Sequence, residues 1–276
     1  MPELPEVETV KRTLELKLTG LTIDSVDIAM PKIIREPSPQ EFGAQIKGRK
    51  ITGLGRRGKY LLLYLSSDKV LIIHLRMTGR LIYAAPGEPL PRHTHVIFSL
   101  SNGNQLRFAD MRQFGRIQLA PKQALNQVKG LKDLGPEPLE KDFTRNLLRR
   151  ELKRKRVRLK TLLLDQTFIA GLGNIYADEA LHRARLHPMR IANSLSPREI
   201  ANLYHSIIEV LREGIQNRGT SFRDYVDGDG RKGNYQKLLR VYNREGLPCP
   251  HCGTTIARMK VSGRSSYFCP ACQRKQ

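Results

Sequence analysis

The chain has 276 residues, 39% of them hydrophobic, and its 48 lysines and arginines against 26 aspartates and glutamates give a formal net charge of +22. This length allows a sizeable core and favours two domains, and the absence of an apolar run of about 18 residues excludes a membrane-spanning helix. The charge favours a polyanionic partner, with a basic ribosome-associated protein as the alternative. The polar, acidic N-terminus does not resemble a secretory signal, so we expect a soluble intracellular protein.

The first predicted element is an amphipathic helix close to the N-terminus. Pro5 suits the first helical turn, where its missing N–H costs nothing, and Gly20 predicts the end of the helix. Apolar residues recur at helical spacing between them: Val7, Val10, Leu14 and Leu18. Helix initiation does not explain Pro2 and Glu3, which precede the helix.

A series of short apolar strands follows the helix. The predicted strands are KYLLLYL (59–65), VLIIHL (70–75), HVIFSL (95–100), QLRFA (105–109) and GRIQLA (115–120). Asn102-Gly103 is a strong hairpin signal between two of them. Short strands joined by hairpins favour an antiparallel sandwich or barrel. The stretch at 131–144, which combines glycine, proline and charge, predicts a linker.

Helical signals dominate the second half of the chain. Residues 153–160 read KRKRVRLK, a basic run that suits a DNA backbone or a solvated helix face. The GLGN turn (171–174) opens a helix and offers backbone N–H groups to a phosphate, or is a tight interhelical turn. The clearest helix covers 196–216, where Ser196 and Glu199 form a capping box.

Four cysteines near the C-terminus form two C-x2-C pairs with 16 residues between them: Cys249, Cys252, Cys269 and Cys272. This is the spacing of a zinc ribbon, with two disulfides or a redox motif as the alternatives. A zinc ion with four cysteine ligands has no open position, so we expect a structural ion. Arg264 follows Gly263 between the pairs, and we expect it at the tip of the hairpin, where it could meet a phosphate or simply face solvent.

Seven stretches together resemble the bacterial formamidopyrimidine-DNA glycosylase family from end to end. They are PELPEVETV (2–10), RRGKY (56–60), HLRMTGRL (74–81), ADMRQFG (109–115), LGPEPL (134–139), LLLDQTFIAGLGNIYADEAL (162–181) and the cysteine motif (249–272). The resemblance implies an α+β protein. An N-terminal antiparallel β-sandwich flanked by helices would precede a C-terminal helix-two-turns-helix domain with a β-hairpin zinc finger.

The resemblance also implies a division of the chain into four parts. The expected parts are a catalytic domain at 1–130, a linker at 131–144, a helical DNA-binding domain at 145–234 with a lesion-capping loop near 217–225, and a zinc-finger module at 235–276.

In the family, the start methionine is removed and the amine of the next residue, here Pro2, is the nucleophile. An α-amino group has a pKa of roughly 7.7–8, so a useful fraction is neutral at physiological pH. By the same resemblance, Glu3 would protonate the deoxyribose ring oxygen as general acid. Lys59 would assist base release and elimination, and Arg264 would grip phosphate during δ-elimination.

Removal of a base requires its extrusion from the helix, which costs a few kcal/mol. The resemblance assigns three side chains to the vacated space: Met77, Arg112 and Phe114. Without the resemblance, Met77 and Phe114 would be interpreted as core residues. The resemblance assigns further DNA contacts to His93, Arg112, Lys155, Asn174 and Tyr242.

The implied function is a bifunctional repair enzyme. It would excise oxidised purines (8-oxoguanine and formamidopyrimidines) from duplex DNA and cleave the abasic site by β,δ-elimination. The implied cofactor is one structural Zn²⁺, the partner is damaged double-stranded DNA, and the protein would be a monomer on the nucleoid in the bacterial cytoplasm. One alternative is an endonuclease VIII-like enzyme for oxidised pyrimidines, which typically has glycine in place of Leu4. The other is a non-catalytic zinc-ribbon DNA-binding protein, which leaves Pro2 and Glu3 unexplained.

Overall fold

The computed structural model describes residues 1–275, whose contacts group them into two units. The N-terminal unit comprises Met1–Lys132 and Asn217–Gln236. The C-terminal unit comprises Asp133–Gln216 and the residues from Lys237 onward.

The N-terminal unit is built on antiparallel strands with two helices. Its elements are α1 (Leu4–Leu18), β1 (Thr22–Ile28), α2 (Pro39–Ile46), β2 (Arg49–Arg57), β3 (Tyr60–Leu65), β4 (Lys69–His74), β5 (Gly79–Ala84), β6 (Thr94–Leu100), β7 (Gln105–Asp110) and β8 (Arg116–Pro121). The strand order is β5-β7-β6-β1-β2-β3-β4-β8. Only Thr22 and Ile23 of β1 pair with β2, so a short ladder joins two four-stranded halves. The predicted antiparallel sheet flanked by helices is confirmed.

All five strands predicted from apolar runs are present, but β1, β2 and β5 were not predicted. Strand β1 reads TIDSVDI and exposes much of its length, while β2 reads RKITGLGRR and contains four basic residues. Neither is an apolar run. Strands β1 and β2 form because they pair with β6 and β3, respectively. Which strands become neighbours is decided by the tertiary structure, so the local sequence did not predict them.

One hydrophobic core contains side chains from both halves of the sheet and from α1. The predicted apolar stripe of α1 is fully buried in it, and the contacts of α1 are mainly with β2. Burial of each aliphatic side chain stabilises the fold by about 1.5–3 kcal/mol. Because the stripe fixes the helix against the sheet, it also fixes the position of the residues that precede α1.

The C-terminal unit is helical and ends in a hairpin. Its elements are α3 (Arg145–Lys153), α4 (Leu159–Leu163), α5 (Asn174–Arg183), α6 (Pro197–Gln216), β9 (Ala257–Val261) and β10 (Arg264–Phe268). The predicted capping box is present, since Glu199 accepts the Ser196 N–H at 2.7 Å and donates its own N–H to Ser196 Oγ at 3.3 Å. No helix among residues 1–275 is both long and apolar enough to cross a membrane.

The segment Asn217–Gln236 belongs by its contacts to the N-terminal unit, whereas the sequence placed residues 217–234 with the helical domain. The segment docks on α1. Thr220 N–H donates to Glu6 Oε1 at 2.7 Å, and Gly228 N–H donates to Thr13 Oγ1 at 3.0 Å. These acceptors on α1 are distant in sequence, so a linear division could not foresee them. The division into four functional parts stays a prediction.

Candidate active site and zinc cluster

The start of the chain is buried and held by Glu6. Pro2 and Glu3 are both buried immediately before α1. The Glu3 N–H donates to Glu6 Oε2 at 2.8 Å, while Glu6 Oε1 accepts the Thr220 N–H. One carboxylate therefore fixes both the backbone beside Pro2 and the docked segment Asn217–Gln236. The sequence marks Glu6 only as an ordinary acidic residue in the first turn of a helix.

Lys59 is buried in the turn between β2 and β3, one residue before β3 begins, whereas the sequence predicted it as the first residue of that strand. Its charge acts on His74 at the end of β4. Burial, with Arg76 and then Lys59, lowers the pKa of His74 to about 3. His74 Nδ1 accepts the Arg76 N–H at 2.9 Å, so the neutral ring carries its proton on Nε2. Nothing in the sequence marks this imidazole beyond its place in a strand.

A cavity of about 370 Å³ lies beside His74 in the N-terminal unit. Besides His74, Tyr60 and Glu36, it is lined by four basic side chains: Arg35, Arg76, Arg116 and Lys129. Within residues 1–275 none of the four forms an ion pair. A concave surface with an unneutralised positive charge attracts anions.

Two large apolar side chains predicted to enter DNA are exposed. Met77 is 42% and Phe114 49% solvent-accessible, which excludes the alternative interpretation as core residues. The Arg112 guanidinium lies 4.8 Å from the centre of the Phe114 ring, in a cation–π contact. His93 is also exposed, and its carbonyl accepts the Asp110 N–H at 2.9 Å. The N-terminal unit thus presents all four side chains to solvent.

The glycine turn of the C-terminal unit opens helix α5, as predicted. Asn174, the first residue of α5, donates from Nδ2 to the Ser265 carbonyl at 2.9 Å. Arg264 begins β10 directly after the hairpin turn and is exposed, which confirms its predicted place at the hairpin tip. The helix start and the strand that carries Arg264 are therefore directly bonded. Lys155 is exposed in the connection between α3 and α4.

A buried ion pair lies behind the bond between Asn174 and the hairpin. Lys160 Nζ lies 2.6 Å from Asp178 Oδ1 and also donates to the Asn174 carbonyl at 3.1 Å. Asp178 additionally accepts Ser266 Oγ–H at 2.7 Å and Tyr267 N–H at 3.1 Å. Burial raises the pKa of Asp178, against the opposing effect of Lys160.

Glu179, next along α5, organises the backbone around Tyr242. Its carboxylate accepts three consecutive N–H groups at 2.9–3.0 Å, those of Arg240, Val241 and Tyr242. Burial raises the pKa of Glu179, and these three bonds oppose the rise. The sequence does not mark Asp178 or Glu179 as buried, because acidic residues in a helix ordinarily face solvent.

The four cysteines converge as the spacing predicted: Cys249, Cys252, Cys269 and Cys272. Their sulfur atoms all lie within 4.8 Å of one another, and three of the pairs are 3.4–4.0 Å apart. Tetrahedral zinc with Zn–S bonds of about 2.3 Å separates its sulfurs by about 3.8 Å, so the cluster fits this ion. His182, which sequence analysis missed, lies with Nε2 3.4 Å from the sulfur of Cys249.

Three family models match the chain in the order of these structural parts. The formamidopyrimidine-DNA glycosylase N-terminal domain matches residues 1–117, and the H2TH domain of the same glycosylase matches 134–226. The zinc finger found in FPG and IleRS matches 246–274. Antiparallel sheet, helical domain and four-cysteine hairpin in this order define a DNA repair glycosylase, and the four cysteines form its structural zinc site.

Relatives extend the match over the whole chain. The formamidopyrimidine-DNA glycosylase of Pelotomaculum thermopropionicum is 64% identical over 99% of both chains. A Lactococcus lactis FPG mutant in complex with a Fapy-dG containing DNA has a TM-score of 0.93 and 39% identity, with 99% of this chain and 100% of that chain covered. The L. lactis Fpg in complex with an abasic site containing DNA gives the same values. The chain belongs to the formamidopyrimidine-DNA glycosylase family.

Proposed function

We propose that this DNA repair glycosylase is bifunctional. It excises oxidised purines, namely 8-oxoguanine and formamidopyrimidines, from duplex DNA and then cleaves the abasic site by β,δ-elimination. The buried Pro2-Glu3 start, anchored by Glu6, carries the proposal. The complexes of the L. lactis protein with Fapy-dG and abasic DNA support it, since they correspond to a substrate and to the product of base removal.

Pro2 acts as the nucleophile once Met1 has been removed. Its secondary amine attacks C1′, the bond from C1′ to the base breaks, and the ring oxygen leaves C1′ as the sugar opens to an iminium. Glu3 supplies the proton that the ring oxygen needs. The iminium acidifies C2′, so loss of that proton expels the 3′-phosphate, and a second elimination expels the 5′-phosphate. An α-amine with a pKa of roughly 7.7–8 is nucleophilic near neutrality, unlike an ordinary lysine.

Two cations assist these steps. Lys59 supports base release and elimination, and it is buried close enough to His74 for its charge to lower the pKa of that imidazole. Arg264 grips a phosphate from the exposed hairpin tip during δ-elimination. The zinc ion supplies no chemistry. It holds the hairpin that presents Arg264.

Side chains of both units contact the DNA. Met77, Arg112 and Phe114 fill the space that the extruded nucleotide leaves, and their exposure supports this role. Backbone phosphates contact His93, Lys155, Asn174 and Tyr242, while Arg112 contacts the DNA within the vacated space. The unpaired cations around the cavity beside His74 add attraction for the polyanion.

The setting follows from the relatives and the charge. The chain's relatives are bacterial, and a net charge of +22 favours residence on DNA. We propose that the protein works as a monomer on the nucleoid, in the bacterial cytoplasm.

Borohydride trapping tests the proposal. The protein is mixed with a duplex that carries 8-oxoguanine opposite cytosine, reduced, and digested for mass mapping. We expect a cross-link at Pro2, with no cross-link when Met1 is retained. A cross-link at a lysine would overturn the role of Pro2, and binding without cross-link or base release would favour a non-catalytic DNA-binding protein.

A parallel duplex with thymine glycol tests the lesion class. We expect slower excision there than from the 8-oxoguanine duplex. Faster excision of thymine glycol would favour the endonuclease VIII-like alternative.

A further inference from the structure

Two adjacent turns carry the three side chains proposed to enter DNA. The first runs from Leu75 to Gly79, closes with a bond from the Gly79 N–H to the Leu75 carbonyl at 3.0 Å, and exposes Met77. The second follows β7 and exposes Arg112 and Phe114. Since the exposed side chains have little packing of their own, their positions depend on what holds the two turns.

One fully buried carboxylate, that of Asp110 at the end of β7, bonds to both turns. Its Oδ1 accepts the Thr78 Oγ1–H at 2.5 Å and the Arg112 N–H at 3.3 Å. Its Oδ2 accepts the Gly115 N–H at 2.7 Å. The carboxylate therefore bonds to the second turn at both Arg112 and Gly115, and it bonds to the first turn through Thr78.

The Thr78 hydroxyl closes the network. While it donates to Asp110, its oxygen accepts the Arg112 N–H at 3.0 Å. Thr78 is only 7% exposed and immediately follows Met77. The Thr78 hydroxyl thus connects the turn that carries Met77 to the backbone of the second turn. Because this network is buried, its hydrogen bonds strengthen each other.

The backbone of both turns leaves little room for relaxation. A Cβ at Gly115 would lie 2.4 Å from the Phe108 ring, and one at Gly79 would lie 2.4 Å from the Leu75 carbonyl oxygen. Gln113, between the two exposed residues of the second turn, has a left-handed φ of +57°. Such a conformation costs energy and persists only where the surroundings impose it.

We propose that Asp110, acting through Thr78, is a positioning residue that locks the two turns into one preformed wedge. The inference rests on the proposed function, because the wedge matters only if Met77, Arg112 and Phe114 enter DNA. Entry must offset a few kcal/mol of lost stacking. A wedge ordered before binding loses less conformational entropy during entry than a mobile one.

Three substitutions test the role of the hydroxyl. Thr78→Val keeps the shape and removes the hydroxyl, while Thr78→Ser keeps the hydroxyl. Thr52→Val is the matched control, because Thr52 on β2 donates to the Tyr64 carbonyl at 3.2 Å, is exposed, and lies outside both turns.

Single-turnover excision of 8-oxoguanine is measured opposite cytosine and opposite adenine, with 2-aminopurine beside the lesion to report unstacking. We expect Thr78→Val to slow excision about tenfold, since it removes the shorter of the two hydrogen bonds that the buried Asp110 Oδ1 accepts. Thr78→Val should also reduce the rise in 2-aminopurine fluorescence. It should lessen any difference in excision rate between lesions opposite cytosine and opposite adenine, because Arg112 is held less firmly. Thr78→Ser and Thr52→Val should stay within about twofold of the wild type.

The outcomes separate this inference from the proposed function. Wild-type excision and fluorescence in Thr78→Val would overturn the positioning role alone. If Thr78→Val lost affinity for undamaged duplex by the same factor as it lost excision rate, this would indicate a folding defect and would also overturn the positioning role. A wild-type protein that releases no base would refute the proposed function, and this inference with it. Asp110→Asn would place its NH2 group opposite either the Gly115 N–H or the Arg112 N–H, and it should lose more activity than Thr78→Val.

Discussion

The buried pair of Lys160 and Asp178 allows a quantitative prediction. Lys160→Met keeps most of the side-chain volume but leaves the Asp178 carboxylate without its cation, with only Ser266 and Tyr267 as donors. The two partners are 0% and 1% exposed, so water cannot replace the lost charge.

Removal of one partner from a buried pair costs about 3–5 kcal/mol, because an uncompensated charge stays behind. We expect a loss of this size in the free energy of unfolding of the C-terminal unit. Arg150→Met is the matched control, since Arg150 is 60% exposed and pairs with Glu151 at 3.1 Å on the surface. Its loss should cost about 0.5 kcal/mol or less.

The pH dependence of the free energy of unfolding provides a second test of the buried pair. Burial already raises the pKa of Asp178 in the folded protein, and loss of Lys160 removes an effect that lowers it. A group whose pKa is higher in the folded state stabilises the fold at low pH and ceases to do so as the pH rises through that pKa. The deficit of Lys160→Met relative to wild type should therefore grow as the pH rises.

Urea unfolding of the cobalt-substituted protein is the assay, with absorption of the four-cysteine site as a local probe. A local probe is required because two units need not unfold in one step. If Lys160→Met cost no more than Arg150→Met, or its deficit grew toward low pH, the reasoning about a buried uncompensated charge would be wrong.

Three further outcomes are expected. Gly219→Ala should cost more stability than Gly230→Ala in thermal unfolding and should expose residues 217–236 to protease. Both glycines have φ of +76°, but only at 219 would the new Cβ lie 2.8 Å from a side chain of α1, so equal costs would contradict the clash. His182→Leu should speed zinc transfer to a chelator, since it removes an N–H donor from a cysteine sulfur, whereas His187→Leu, another buried histidine of the same unit, should not. His74 should stay neutral in NMR titrations down to about pH 5, and stability should fall below about pH 6.5 as the unfolded ring takes up a proton; a midpoint near 6.5 in the folded protein would refute its burial.

The elements with a strong local signal could be predicted from the sequence alone. Helix α6 has a capping box and a continuous apolar stripe, and the hairpin strands flank Asn102-Gly103, so short-range chemistry specifies both. The zinc site is similar, because two C-x2-C pairs allow few other arrangements in a chain without further cysteines. Each of these signals lies in residues that are close together in the sequence.

The tertiary structure alone decided where buried polar groups meet. Asp110 bonds to Thr78, which lies 32 residues away in the sequence, and Glu6 accepts a backbone N–H from a residue 214 positions away. From the sequence alone, a carboxylate is interpreted as a surface charge, because the neighbouring residues do not indicate which distant hydrogen-bond donors will surround it. Such a group is tolerated in the interior only when the fold supplies its hydrogen bonds, so its role becomes visible only once distant segments are in contact.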